Sequence, residues 1–255
     1  DALRPGPGPA RAEVQAAIDS TRQPRSRELA VAARLTVRAR YEERRPSANV
    51  VGVLEGSDPA LRGQAVVVGA HLDHVGEQAG LVFPGANDNA SGAAAVLAMA
   101  EAFARGGVRP RRTVVFALFS SEESGLQGAR RFVADPPVPL GNVVAMLNLD
   151  CVGVGDSIQL GSGRTSPKLW ALARGLDAAH DRLSVADTWG GGGADATPFA
   201  ERGVPTLYFA SRFSYPHLHL PGDTPATLNP GMYEALARLA CRTAWAVADG
   251  GYAGE

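Results

Sequence analysis

The sequence predicts an α/β fold with a doubly wound, mostly parallel (mixed) sheet flanked by helices. Short apolar runs, VVVGA, TVVFALF and VVAMLNL, have the length and Val/Phe content of strands buried on both faces. Longer stretches at helical spacing separate them, and such alternation builds βαβ units. Acids or histidines follow each run, and in open α/β sheets the ligand crevice lies beyond the carboxyl ends of the strands.

With 255 residues and 45% hydrophobic content, the chain can bury a large core, and one domain over 10–255 is the expectation. A net charge of −1 with interspersed signs gives no electrostatic reason to expect a nucleic-acid partner. No apolar run approaches the roughly 18 residues of a membrane helix, and the first residues lack a signal-peptide layout. Cys151 and Cys241 sit in apolar contexts that favour free thiols.

Residues 1–9, with three prolines and two glycines, read as a flexible lead-in. Val14, Ala17 and Ile18, then Leu29, Ala32, Leu35 and Val37, follow helical spacing broken at Gln23-Pro24, so two helices over 10–44 are expected to pack on the sheet. ANVVGVLEG and QAVVVGAHLD, joined by the turn-rich SDPALRG, read as neighbouring strands. The Gly-rich GANDNASG delivers Asp88 to the start of an Ala-rich helix over 93–105.

TVVFALF then runs into SSEESG and a helix expected to open at Ser124, and NVVAMLNLD closes in Asp150. A strand, turn and helix over 157–180 follow. The run WGGGGAD then precedes a helix in TPFAERG and a strand in VPTLYFA. The loop RFSYPHLHLPGDTPATLNP leads to a closing amphipathic helix over 230–248.

Gathering the polar residues at these strand ends gives His71, Asp73, Asp88, Glu122, Glu123 and Asp150, joined by His217 and His219 from the late loop. These are zinc-ligand types. With one aspartate bridging, five residues can hold two ions and leave one glutamate free as a base. Asp73, two residues past His71, is expected on the same side of the strand, where its carboxylate would orient the imidazole.

The motifs VVVGAHLDHVG, GANDNASGAAAVLAMA, VVFALFSSEESGLQGARRF, NLDCVG, ADATPFAERGVPT and HLPGDT, in this order from Asn49 to Trp245, resemble the dizinc aminopeptidases that include secreted bacterial leucine-type enzymes. The resemblance implies two Zn2+ per chain: His71 and Asp150 on one, Glu123 and His219 on the other, Asp88 bridging and Glu122 as general base. It also implies a cis peptide at Asp88-Asn89, and HLPGDT selects His219 over His217. Leu218 and Ala196 stand where the family often carries Tyr and His or Tyr, so Tyr215 is the candidate to hydrogen-bond the oxyanion.

The implied activity is removal of the N-terminal residue of a peptide by a zinc-activated water, in a secreted or periplasmic protein. Trp189, Phe209, Phe213 and Tyr215 are candidates to line a pocket for a bulky apolar residue. Rival readings are a carboxypeptidase or other amidohydrolase, with Arg164 or Arg212 clamping a carboxylate, a single-zinc glutaminyl cyclase, and a non-catalytic metal-binding domain.

Overall fold

The structure, a computed structural model, describes residues 10–26, 32, 34–38, 45–78, 80–212 and 215–255. The chain divides into two units, Asp1–Arg45 and Pro46–Glu255. In the first unit α1 spans Arg11–Thr21 and stops where Arg22 turns left-handed at φ 53°. The expected second helix is absent from the described residues 32 and 34–38, and Leu35 and Val37 are 88% and 73% exposed. A short helix holds only when its apolar stripe is buried, and these side chains are not. The rest of that expected helix lies outside the described residues.

In the second unit β1 (Val50–Leu54), β2 (Ala65–His71), a short hairpin of β3 (Gly76–Gln78) and β4 (Leu81–Phe83), and α2 (Gly92–Arg105) come first. Then follow β5 (Thr113–Phe119), α3 (Gln127–Ala134), β6 (Val143–Leu149), β7 (Ile158–Gly161), α4 (Pro167–Ala178), α5 (Ala196–Ala200), β8 (Thr206–Ser211) and α6 (Pro230–Ala248). The main sheet has the order β1-β5-β2-β6-β8-β7. Its inner strands β5, β2, β6 and β8 are parallel, and β1 and β7 are antiparallel edges. The sheet is therefore mixed and doubly wound, as expected. β1 and β2 are not neighbours, however, because β5 lies between them. α3 begins at Gln127, since Ser121 to Leu126 form turns after the strand.

The period-2 alternation of a strand sorts the core into two layers. Val66, Val68 and Ala70 of β2 lie in the layer that holds Val96 of α2, Leu169 of α4 and Leu236 of α6. Ala65 and Val67 face the other layer, where α3 and α5 contribute Phe132 and Phe199. Phe119, Phe132 and Phe199 meet there with ring centroids 5.5–6.1 Å apart, and removing one such ring costs about 3–5 kcal/mol. Helices on both faces leave the carboxyl ends of β2, β5 and β6 as the open edge, where His71, the Glu122-Glu123 pair and Asp150 emerge.

Candidate metal centre

His71 ends β2 and is 1% exposed, with Nε2 3.2 Å from Asp88 Oδ1 and 3.4 Å from Asp150 Oδ1. On the other side of Asp88, His219 Nε2 lies 3.1 Å from Asp88 Oδ2 and 3.2 Å from Glu123 Oε2. Donor atoms bound to one tetrahedral zinc at roughly 2.0–2.1 Å sit about 3.3 Å apart. Both sets have that spacing, and they share Asp88 through its two oxygens.

Among the described residues, the buried atoms Asp150 Oδ1 and Glu123 Oε1 have no hydrogen-bond partner. Burial pulls the His71 imidazole down, but Asp150 and Asp88 outweigh it and push it up to about 12. A cluster that demands a cation at this spacing, from imidazole and carboxylate donors, fits zinc.

Asp88 is fixed by its loop. Asn87 and Asp88 donate their amides to Asp223, the Asp88-Asn89 peptide is cis, and Asn89 Nδ2 donates to the Leu149 carbonyl at 2.9 Å. Asn89 Oδ1 in turn accepts the amides of Gly92 and Cys151, tying the Asp88 loop to the strand end that carries Asp150. A Cβ at Gly92 would lie 2.4 Å from both Asn89 Oδ1 and the Leu149 carbonyl, so only glycine admits this contact.

Asp73 does not orient His71 through its carboxylate, which is 4.0 Å from Nδ1. The Asp73 backbone carbonyl meets His71 Nδ1 at 3.0 Å instead. The strand ends at His71, so same-face spacing no longer applies two residues on. The Asp73 carboxylate accepts the amides of Glu122 and Glu123 at 3.1 and 3.3 Å, and so holds the turn bearing both glutamates.

Tyr215, the candidate to meet the oxyanion, donates its hydroxyl to Asp223 at 2.6 Å and lies 3.0 Å from Thr227 Oγ1. His217 meets the Tyr215 ring edge-on, whereas His219 is the histidine of this loop whose Nε2 is in contact with Asp88 and Glu123. Phe209 is fully buried in the core, and Trp189 packs against Tyr208, while Phe213 lies outside the described residues.

Burial, with Asp150, Glu123 and Asp88 adding to it and His71 opposing, pushes Glu122 up to about 7. Burial and the Asp150 charge push the Cys151 thiol up, so it stays protonated and is no nucleophile. Tyr208, unremarked in the sequence reading, donates to Asp150 Oδ2 at 2.7 Å. His74, inside the motif HLDHVG but past the strand, was missed as well, and its Nδ1 lies 2.9 Å from Glu123 Oε1. Asp195 is fully buried, neither oxygen is hydrogen-bonded among the described residues, and burial holds its carboxyl well above the usual range.

Residues 49–244 match the family described as Peptidase family M28. The chain is similar to leupeptin-inactivating enzyme 1 of Streptomyces exfoliatus, 30% identical over 62% of this chain and 34% of that protein. It is also similar to a probable leucine aminopeptidase of Arthroderma otae, 27% identical over 74% of this chain and 56% of that one. The chain thus spans between about a third and just over half the length of these curated relatives.

Among solved structures, a zinc aminopeptidase from Bacillus subtilis superposes with a TM-score of 0.68 and 25% identity, covering 80% of this chain and 51% of that one. A glutaminyl cyclase from Porphyromonas gingivalis, 18% identical, shares the fold at a TM-score of 0.63 over 76% of each chain. The match to nearly the whole of the second unit settles the family: the chain belongs to peptidase family M28.

Proposed function

We propose that this chain is a metallo-aminopeptidase that holds two zinc ions and removes the N-terminal residue of peptides. The observation that carries the reading is the bridge: both oxygens of Asp88 are engaged, each facing a different histidine, beside the separate carboxylate Glu122. His71 and Asp150 would hold one ion, Glu123 and His219 the other. When bound, the zinc ions supply Lewis acidity that activates water and polarises a carbonyl.

The chain's own residues then do the rest. Glu122, with a proton affinity raised toward neutrality, takes the proton from water and returns it to the leaving amine. Asp73 fixes the Glu122 backbone, so the base keeps its place when its proton changes. Asp150, oriented by the Tyr208 hydroxyl, and Glu122 present acceptors to a substrate α-ammonium group.

The carboxypeptidase alternative loses support because the exposed Arg212 pairs with Asp187 at 2.7 Å. The aminopeptidase names of the similar proteins support the reading, and the shared cyclase fold makes the reaction worth testing directly. Initial rates with zinc on Leu-, Gln- and N-acetyl-Leu-peptides decide it. Release of free leucine with no cleavage of the blocked peptide is expected. Cyclisation of the Gln peptide without hydrolysis, or cleavage of the blocked one, would overturn it.

A further inference from the structure

We infer that His74 is a direct ligand of the second metal position, through Nδ1, alongside Asp88, Glu123 and His219. The inference rests on the two-zinc reading above. The His74 side chain is 8% exposed, and its Nδ1 is 2.9 Å from Glu123 Oε1 and 3.8 Å from Asp88 Oδ2. Among the described residues, neither His74 nitrogen nor Glu123 Oε1 has a partner that meets hydrogen-bond geometry, although Nδ1 and Oε1 are in contact. An imidazole nitrogen packed 2.9 Å from one carboxylate and beside a second is an arrangement that a shared cation satisfies. One donor atom each from His74, Asp88 and Glu123 lies within 4.8 Å of the others, as His71, Asp88 and Asp150 do at the first position.

The surrounding chain makes room for this imidazole. Gly85 turns at φ 64°, and a Cβ there would lie 2.6 Å from His74 Cγ, so a larger residue would displace the ring. His219 reaches the same carboxylates from the solvent side, 52% exposed, with its ring 5.6 Å from that of His74 at an interplanar angle of 67°. The second position is therefore enclosed by two imidazoles and two carboxylates, and the first by one imidazole and two carboxylates. A position with more protein ligands binds its ion more tightly, and one with fewer leaves room for water and substrate. The geometry makes the His74 position the tighter of the two and the His71 position the open one.

The test is a calorimetric zinc titration of the whole chain, with cobalt absorption spectra alongside, for the parent, His74→Ala and His74→Asn. Asparagine keeps a hydrogen-bond donor near the place of Nδ1 but offers no imidazole lone pair. Melting of the zinc-free proteins checks the fold, and the near-isosteric His74→Asn is read if the alanine variant fails to fold.

The parent is expected to bind two zinc. Both variants are expected to lose about 100-fold or more in the tighter step, beyond the 10–100-fold an outer partner of a ligand carries, with a change in the visible band of one cobalt. Unchanged affinity in either folded variant, or rescue by asparagine alone, would overturn the assignment of His74 and leave the two-zinc reading standing. A parent that binds fewer than two zinc would overturn both.

Discussion

Asp223 holds Asp88 by its backbone: the Asp223 carboxylate oxygens accept the amides of Asn87 and Asp88 at 2.8 and 3.0 Å, in a pocket where Asp223 is fully buried. The late HLPGDT loop thus anchors the loop that carries Asp88, the proposed bridging ligand, besides supplying His219. Asp223→Ala leaves the Asn87 and Asp88 amides without their acceptor and takes one partner from the Tyr215 hydroxyl, which keeps its contact with Thr227. It should cost about 3 kcal/mol or more and weaken both zinc sites together. Asp223→Asn, which keeps one acceptor oxygen, should lose less. Denaturant unfolding and zinc titration measure the two effects.

Adjacent glutamates should fail differently. Glu122→Gln removes the base but no ligand, so it should keep both metals and lower kcat by about 10²–10⁴-fold, with KM little changed. Glu123→Gln should weaken zinc binding. Equal metal loss in both would show that the roles are not divided between them.

The base also sets an acid limb. Glu122 works only when ionised, and burial pushes it up to about 7. Activity should therefore fall as pH drops through and below about 7, with bound cations moving the limb downward rather than upward. The limb should vanish from the residual rate of Glu122→Gln. A pH profile of kcat/KM for both forms is the measurement.

Asp195 offers a test that does not involve activity. Its folded carboxyl titrates well above the unfolded one, so the folded state holds the extra proton, and its contribution to stability is lost as pH rises from the unfolded value through the folded one. Asp195→Asn, which cannot ionise, should melt higher than the parent at pH 8 in zinc-free protein. The difference should shrink toward pH 4. A variant that melts lower at pH 8 would mean that the carboxylate has a stabilising partner.

The sequence revealed the parts of the site that lie at strand ends. His71, the Glu122-Glu123 pair and Asp150 follow apolar runs whose seven-residue length marks their ends, and the structure puts them at one edge. Asp73 was misread because a period of two holds only while the strand lasts, and β2 stops at His71. The order of β1, β5 and β2 was not legible, since adjacency in a sheet depends on crossovers that no local pattern encodes. Asp223 and His74 were overlooked for a related reason: each acts on a residue brought to it by the fold, Asp223 on an amide 136 positions away in sequence. Leu35 and Val37 show the opposite error, an apolar period whose described side chains stay exposed.

The central claim is that Asp88 bridges two ions, with His71 and Asp150 on one side and Glu123 and His219 on the other. X-ray diffraction at the zinc absorption edge, from crystals of the whole chain grown with zinc, tests it most directly. Two anomalous peaks flanking the Asp88 carboxylate, each within about 2.0–2.2 Å of one of its oxygens, is the result the account predicts. A single peak, or two peaks with Asp88 bound to one ion alone, would contradict it.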